Sequence, residues 1–304
     1  MKNNESPTLG DRLFVASQYL MPQHLLSRVV YHLTRSRSPG TKNALIGNFI
    51  RGFSPDMSDA IQPDPLAYGS FNEFFTRALK PGARPIDPNG SILVSPVDGA
   101  ISQIGQLDGS QVMQAKGHTY SLEALLGSGQ SETNWAARFA GGCFATLYLA
   151  PFNYHRIHMP LSGKLLAAWY VPGKLFSVNA ATAALVPGLF ARNERVVCIF
   201  EDGPRLFAMV LVGALFVGSM DTVWHGEVTP RSPRTGMQLP LDTTRAPLRL
   251  EKGAEMGRFN MGSTVILITP PNTIDWLSNM RARERVSVGQ PLARLRGGMM
   301  ATHD

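Results

Sequence analysis

The feature that most constrains this chain is a series of short apolar runs, rich in β-branched and aromatic residues, that begins near residue 91. Each run is bounded by Gly or Pro, which is the pattern of β-strands joined by turns. The runs are ILVSPVDGAISQIG, CFATLYLAP, GKLLAAWYVPG, RVVCIFED, RLFAMVLVGALFVG, STVILITP and RVSVGQPLARL. The segments YSLEALLG and NAATAAL between them are predicted as short helices. The sequence therefore predicts an α+β fold whose main part is a single, predominantly β-rich domain.

The region before that series, residues 8 to 53, has helical periodicity instead. Its two candidate helices, MPQHLLSRVVYHLTR and TKNALIGNFIRGF, are basic and amphipathic. Their apolar stripes are Leu25, Leu26, Val29, Val30 and Leu33 in the first, and Leu45, Ile46, Phe49, Ile50 and Phe53 in the second. Two interpretations are open: the stripes pack on the protein's own core, or they lie in a membrane interface. In the second case the cations near lipid phosphates would be Arg28, Arg35, Arg37, Lys42 and Arg51.

A Pro-rich joint, SPDMSDAIQPDPLAYG, separates the two regions. After it, Ser70 and Glu73 have the spacing of a capping box, and Pro81-Gly82 is expected to end the helix that the box begins. We therefore expect an N-terminal helical, membrane-associating region over residues 1–69 and the β-rich domain over residues 70–304.

The charge of the chain indicates a polyanionic partner. The formal net charge is +7, which fits either nucleic acid or an anionic lipid surface. The sequence has no zinc-finger spacing, no long Lys/Arg block and no basic motif with interleaved aromatic residues. We therefore expect no nucleic-acid partner and favour an anionic phospholipid membrane.

The compartment is indicated by three further observations. Cys143 and Cys198 are too few for a disulfide framework and fit a reducing environment. The segment MKNNESPTLGD lacks the apolar core of a signal peptide, and the longest apolar stretch, FAMVLVGALFVG, is too short to span a bilayer. We expect a peripheral protein on the cytoplasmic side of the cell membrane.

Two polar segments stand out among the apolar runs. In SPVDGAIS, Asp98 precedes a glycine, which most often makes a hairpin turn. In NYHRIH, His155 and His158 lie three residues apart, a spacing that would bring both rings to one side of a helical turn, as in a metal pair. No H-E-x-x-H motif or cysteine pair accompanies them, so we favour a surface turn with solvated histidines and expect no metal.

A third segment, RFNMGSTVILITP, places Ser263 directly after Gly262. With Asp98 and His158 it gives an Asp, His, Ser set in the chain order of subtilisin-type hydrolases, in which His takes the hydroxyl proton. A serine hydrolase is one hypothesis, and a non-catalytic β-rich membrane-binding module is another. The G-x-S-x-G elbow is missing, however, and a glycine peptide leaves its carbonyl open to a neighbouring hydroxyl. The remaining hypothesis is attack on the protein's own backbone.

Seven segments, in the same order, resemble the bacterial-type phosphatidylserine decarboxylases, a family of self-cleaving, pyruvoyl-dependent proenzymes. They are FNEFFTRALKPGARPI, SPVDGAIS, KGHTYSLEALL, LAPFNYHRIHMPLSGKL, YVPGKLFSVN, VGALFVGSMDTVW and FNMGSTVILI, and the likeness that includes them covers most of the chain. The family's cleavage signature is usually Leu-Gly-Ser-Thr, and Met261 replaces the leucine with a side chain of similar volume. Within YVPGKLFSVN, Leu175 and Phe176 fit either a lipid-facing loop or a buried turn.

The resemblance implies a self-processing relay of Asp98, His158 and Ser263. Ser263 would attack the carbonyl carbon of Gly262 and convert the amide to an ester, and elimination would then leave Gly262 as a new C-terminus. The remnant of Ser263 would become a covalent pyruvoyl group on the new N-terminus. The enzyme would need no external cofactor.

The resemblance also implies the reaction. The pyruvoyl ketone from Ser263 would form a Schiff base with the serine amine of phosphatidylserine and act as an electron sink while CO2 leaves, giving phosphatidylethanolamine. His155 would donate the proton that the α-carbon then needs. The fragments 1–262 and 263–304 would stay together as a heterodimer, with a homo-oligomer also possible, while the diacyl substrate stays in the membrane.

Overall fold

Most helical residues lie near the start of the chain in a computed structural model, which describes residues 7–115, 117–127, 131–216, 219–230, 234–240, 246–262 and 264–297. The helices are α1 (Leu9–Leu20), α2 (Gln23–Thr34), α3 (Pro39–Phe53), α4 (Phe71–Phe75), α5 (Leu122–Leu126), α6 (Trp135–Phe139), α7 (Ala180–Leu185) and α8 (Leu189–Arg192). A single 3-10 turn spans Pro65–Ala67 in this part of the chain.

The strands, by contrast, follow one another from residue 92 onwards. They are β1 (Ile92–Val94), β2 (Gly99–Gln106), β3 (Gln111–Ala115), β4 (His118–Ser121), β5 (Cys143–Tyr148), β6 (Arg156–His158), β7 (Gly163–Val171), β8 (Arg195–Asp202), β9 (Arg205–Val212), β10 (Met220–Thr222), β11 (Gly226–Glu227), β12 (Met237–Gln238), β13 (Arg249–Leu250), β14 (Glu255–Phe259), β15 (Thr264–Thr269), β16 (Ile274–Trp276), β17 (Arg285–Val286) and β18 (Pro291–Leu295). The largest sheet has the order β12-β7-β8-β9-β15-β5-β2-β17, and β13 also pairs with β7. Smaller sheets have the orders β11-β10-β14-β6, β1-β18-β16 and β3-β4. The predicted α+β, β-rich fold is confirmed.

The core lies on both faces of the largest sheet. Successive side chains of a strand point to opposite faces, and in β15 the residues Val265 and Leu267 join one apolar cluster while Ile266 and Ile268 join the other. β15 pairs with β9 on one side and β5 on the other, both antiparallel. A strand buried on both faces needs apolar residues at every position, which explains the unbroken run VILI.

Each of the seven predicted runs contains at least one strand, and both predicted short helices are present, as α5 and α7. In the run ILVSPVDGAISQIG, however, β1 pairs with β18, whereas β2 pairs with β5 and β17. The expected hairpin turn at Asp98 is therefore wrong. Glycine is needed at Gly99 for a different reason, because a Cβ there would lie 2.3 Å from the carbonyl oxygen of Tyr148.

The helix predicted after the Pro-rich joint is shorter than expected. Oγ of Ser70 accepts a hydrogen bond from the Glu73 N–H, but the Glu73 carboxylate accepts from the N–H of Gly69 rather than closing the box on Ser70. α4 ends at Phe75 instead of near Pro81, because the chain beyond it pairs with the preceding joint, where Leu79 forms a β-bridge with Ala60. A contact between segments of the chain thus overrides the local signal.

α2 places its apolar stripe outward. Leu25, Val29 and Leu33 are 59%, 49% and 45% exposed, whereas the polar side chains of Gln23 and Ser27 are buried. The reason is a long-range contact: Oε1 of Gln23, and that of a glutamine near the end of α1, accept hydrogen bonds from backbone N–H groups of the turn after β7. Three of the five stripe residues therefore face away from the protein's own core, while Leu26 and Val30 are half-buried.

α3 does the opposite. Ile46 and Phe49 are buried in a third apolar cluster that includes three phenylalanines of α4. Four of the five cations expected near lipid phosphates are also engaged within the protein. Lys42 Nζ donates to the Leu66 carbonyl at 2.6 Å, Arg35 pairs with Glu227 at 2.7 Å, Arg37 pairs with Glu73 at 3.4 Å, and Arg51 donates to the side chain of Asn48. Among the described helices, none has the length and apolar character to cross a membrane.

Candidate active site

The Gly262-Ser263 step lies at the start of β15, shortly after β14. Ser263 itself lies outside the described residues, while Gly262 and Thr264 are described on either side. A Cβ on Gly262 would lie 3.4 Å from Cε1 of His155 and 3.5 Å from the carbonyl oxygen of Leu149. The backbone at the predicted cleavage site therefore faces the ring of His155.

His155 is fully buried and immediately precedes β6. Its Nε2 lies 3.1 Å from the Ala150 carbonyl oxygen and 3.2 Å from that of Pro151. Carbonyls only accept hydrogen bonds, so Nε2 carries a proton and donates it. Nδ1 has no hydrogen-bond partner among the described residues. Burial lowers the pKa of His155 to about 3, so the ring is neutral at pH 7 and Nδ1 is an open acceptor.

Two further groups beside the cleavage step escaped the sequence reasoning. Phe75 of α4 stacks on the His155 ring, with 4.1 Å between centroids and 24° between planes. Thr264, the first residue of β15, is buried, and its Oγ1 has no partner in the part of the chain that the structure describes. Leaving a buried polar atom unpaired costs about 1–3 kcal/mol. Nδ1 of His155 and Oγ1 of Thr264 are therefore each suited to bind a further polar group.

His158 lies at the far end of β6 and has both ring nitrogens engaged. Nδ1 donates to the Gly253 carbonyl at 2.7 Å, which leaves Nε2 to accept from the Tyr154 hydroxyl at 3.0 Å. Burial, the largest cause, lowers the pKa of His158, while the charge of Glu255 opposes that shift. Burial also raises the pKa of Tyr154 to about 12, so its hydroxyl remains a donor at neutral pH.

The segment NYHRIH is therefore neither a helical turn nor a solvated one. Along a strand, residues three apart lie roughly 10 Å from each other and point to opposite faces, so the rings of His155 and His158 do not converge as a metal pair would. Within the described ranges, no group of three His, Cys, Asp or Glu side chains is placed to hold a metal ion. The expected solvated turn is wrong because His155 is fully buried.

Asp98 is held by an arginine that the sequence reasoning missed. Arg84 forms a fork on its carboxylate, with Nε 3.0 Å from both oxygens and Nη2 2.7 Å from Oδ2. Oδ1 also accepts from the Val288 N–H at 2.9 Å. In the described structure the carboxylate makes no hydrogen bond to His158, and its charge raises the pKa of that ring only as a minor cause beside burial. Asp98 and His158 are neighbours rather than a hydrogen-bonded dyad.

Gly262 opens into an apolar cavity of about 270 Å³. Phe49 and Phe53 of α3, Phe75 of α4 and Phe216 form much of its wall. Phe53 and Phe216 are 46% and 40% exposed and so lie where the cavity meets solvent. These aromatic side chains therefore lie between solvent and the cleavage step along this cavity.

The turn YVPGKLFSVN resolves the choice between its two interpretations. Leu175 and Phe176 are each 2% exposed, so the buried turn is confirmed and the lipid-facing loop is wrong. The residues directly after them, 177–179, line the cavity at Gly262. The turn thus buries Leu175 and Phe176 and forms part of the cavity wall with the residues that follow them.

Two family models and several curated relatives match the chain. The model described as phosphatidylserine decarboxylase matches residues 71–294, and a second, described as PSD, matches residues 13–54. The phosphatidylserine decarboxylase proenzyme of Bordetella pertussis is 52% identical over 283 residues, which cover 93% of this chain and 94% of that protein. Proteins of the same name from Azotobacter vinelandii and Pseudomonas fluorescens are 50% and 49% identical, each over 94% of this chain and 99% of the relative.

Proposed function

The chain belongs to the phosphatidylserine decarboxylase family, and we propose that it is a carboxy-lyase that converts phosphatidylserine to phosphatidylethanolamine and CO2. The observation that carries this proposal is the likeness over nearly the whole chain, because the relatives share the name and are proenzymes. The serine hydrolase alternative has no support among these relatives.

We propose that the chain is cleaved between Gly262 and Ser263 and that Ser263 becomes a pyruvoyl group. The word proenzyme in the relatives' names supports processing in general. The unpaired Nδ1 of His155 and the absence of a side chain on Gly262 provide an acceptor and space beside the step. When present, a pyruvoyl group supplies an electron sink for the pair released as CO2 leaves.

For processing, we propose Asp98, His158 and Ser263 as the participating residues. The basic nitrogen of this neutral ring, Nε2 of His158, is oriented by the hydrogen bond that it accepts from the Tyr154 hydroxyl. That hydroxyl must move off the lone pair before Nε2 takes up the proton of Ser263. The negative charge of Asp98 would stabilise the imidazolium that results, through space rather than through a direct hydrogen bond. Arg84 would act as a positioning residue, since it fixes the carboxylate.

For decarboxylation, we propose His155 as the proton carrier. Burial lowers the pKa of the ring, so proton uptake at Nδ1 would require the negative charge of the bound substrate beside it. The proton would come from the substrate ammonium and would return to the α-carbon after CO2 has left. The Nε2–H of His155 stays bonded to two carbonyls throughout, which holds the ring plane fixed. The stack with Phe75 excludes water from one face of the ring.

Membrane association follows from the substrate, whose acyl chains stay in a bilayer, and we propose that it is peripheral and on the cytoplasmic side. The outward apolar stripe of α2 supports this, as do Phe53 and Phe216 at the cavity mouth. The region 1–69 would thus be only partly membrane-associating, because α3 packs on α4.

The proposed function is tested by presenting phosphatidylserine in phosphatidylcholine vesicles and measuring phosphatidylethanolamine by mass spectrometry. We expect the wild-type protein to form the product and Ser263→Ala to form none. A wild-type protein that leaves phosphatidylserine unchanged, but is labelled at Ser263 by an active-site phosphonate, would overturn the proposal in favour of a hydrolase.

A further inference from the structure

A second cavity, of about 480 Å³, lies between the start of α2 and the buried turn after β7. Four cations line it: Arg28, Lys174, Arg192 and Arg234. None of its lining residues also lines the cavity at Gly262. The second cavity is therefore separate from the candidate active site.

The positive charge in this cavity is not balanced by ion pairs within the described part of the chain. Among the residues that the structure describes, no carboxylate forms an ion pair with any of the four cations. The charge of Arg234 also acts on Glu194, which is buried and accepts from the Tyr170 hydroxyl at 3.1 Å. The repulsion is felt by His24 in the same wall, since Arg234 and Lys174 add to burial in lowering its pKa. Clustered cations without carboxylate partners favour an anionic ligand.

The walls of the cavity are fixed before any ligand arrives. His24 Nε2 donates to the Gly173 carbonyl at 3.0 Å, and the Leu175 N–H donates to the Gln23 side chain at 2.8 Å. These bonds tie the first turn of α2 to the turn after β7. The Arg192 guanidinium lies 5.2 Å from the ring centroid of Phe176, within cation–π range.

The surroundings of the cavity are apolar and exposed. Leu25, which lines it, is 59% exposed, and the neighbouring Leu20 is 89% exposed. A free inorganic anion would gain nothing from these side chains, whereas a lipid would place its phosphate among the cations and its acyl chains over the leucines. The combination favours a phospholipid.

We propose that this cavity binds the phosphate headgroup of an anionic phospholipid other than the substrate undergoing reaction. This rests on the proposed membrane association. The turn after β7 joins the two sites, because Lys174 and Phe176 line the second cavity and residues 177–179 line the first. The bound lipid would therefore hold the protein on the membrane with the active-site cavity beside it.

The test uses dihexanoyl phosphatidylglycerol below its critical micelle concentration, with binding measured by titration calorimetry on full-length Ser263→Ala. We expect saturable binding of one lipid per chain. The double variant Arg28→Gln/Lys174→Gln should weaken it roughly tenfold or more, because charge-assisted contacts to phosphate are lost. Both side chains are exposed, so the melting temperature should not change.

Two controls make the result specific. Arg281→Gln/Arg294→Gln removes the same charge from exposed positions elsewhere and should leave the affinity within roughly twofold. Arg28→Lys/Lys174→Arg keeps the charge and should retain binding. Equal weakening by both glutamine pairs, or no binding by the parent chain, would overturn the proposal. If inorganic phosphate competes with dihexanoyl phosphatidylglycerol at equal concentration, the cavity is a site for free phosphate, and the proposal of a bound phospholipid is overturned.

These outcomes are independent of the proposed reaction. Ser263→Ala needs neither cleavage nor turnover to bind a soluble lipid, so loss of decarboxylation in another experiment does not affect the result. Conversely, a decarboxylase that shows no binding here keeps its activity and loses only the second site.

Discussion

At the scale of single residues, removing the imidazole of His155 is expected to separate decarboxylation from processing. In His155→Ala the chain should still be cleaved after Gly262, because His158 is intact, but product formation should fall by about 10²–10⁴-fold with the loss of the proton carrier. Intact mass and phosphatidylethanolamine formation are measured on the same preparation. Phe75→Leu removes the ring that stacks on His155 but keeps the imidazole itself, so this variant should lose less activity. A His155→Ala chain that stays uncleaved would contradict this division of roles.

Arg84→Gln tests the arginine fork on Asp98. In this variant the Asp98 carboxylate, which is only 7% exposed, keeps a single strong hydrogen-bond donor, the Val288 N–H. We expect a loss of about 2–3 kcal/mol in the free energy of unfolding, less than for a fully buried pair because the Arg84 side chain is 23% exposed. Urea unfolding in the single-chain Ser263→Ala background measures it.

The matched control for that variant is Arg296→Gln. Arg296 makes a similar fork on Asp275, but both side chains are largely exposed. Exposed ion pairs contribute little to stability, so the control should unfold as the parent does. In the wild-type background Arg84→Gln should also slow cleavage after Gly262, whereas Arg296→Gln should not. Equal effects of the two substitutions would argue against a special role for the fork.

Glu194 predicts a pH dependence of stability. Burial raises its pKa to about 7 in the folded protein. Between about pH 4.5 and 7 the unfolded carboxyl loses its proton while the folded one retains it, so rising pH favours unfolding, by about 3 kcal/mol in total. Glu194→Gln should remove this loss, and the stability difference between the two chains should change across that window. Glu201→Gln, a carboxylate paired with Lys164 at the surface, is the control. If the free energy of unfolding changes with pH in the same way for the wild-type protein and Glu194→Gln, the raised pKa does not belong to Glu194.

At the scale of elements, the outward stripe of α2 is expected to act on membrane binding and not on stability. Val29→Gln/Leu33→Gln should lower partitioning onto anionic vesicles by roughly 10- to 100-fold, since each half-exposed side chain contributes only part of its full burial energy. The melting temperature should stay the same. Leu66→Gln/Val223→Gln, which removes two apolar side chains of similar exposure elsewhere, should leave vesicle binding unchanged. If both double variants lose vesicle binding equally, the exposed stripe of α2 is not what contacts the membrane.

The same elements show what the sequence could and could not predict. β15 could be read directly, because a strand buried on both faces needs an unbroken apolar run. α2 and α3 have the same periodicity, yet one stripe faces solvent and the other the core, since the buried face of α2 is chosen by hydrogen bonds to a turn about 150 residues away. The candidate residues themselves were visible as motifs. Tyr154 lies in the same NYHRIH segment as His158, but its sequence position alone does not show the hydrogen bond. Arg84, and the contact between His155 and Gly262, depend on packing between separate segments that no local pattern contains.

At the scale of the whole molecule, the proposed cleavage would divide the largest sheet without exposing its edges. β15 would belong to the small chain, yet it lies between β5 and β9 of the large chain and is buried on both faces. β17 and β18 of the same segment pair with β2 and β1. Separating the chains would expose this apolar surface, so we expect them to co-elute as a heterodimer under native conditions and to separate only in denaturant.

The intact mass of the freshly purified protein under denaturing conditions decides whether the chain cleaves itself and forms a pyruvoyl group. We expect two chains split after Gly262, the smaller lighter by one ammonia than a chain beginning with an unmodified Ser263, and a single uncleaved chain for Ser263→Ala. A single full-length mass for a wild-type protein that makes phosphatidylethanolamine, or cleavage that persists in Ser263→Ala, would contradict this expectation.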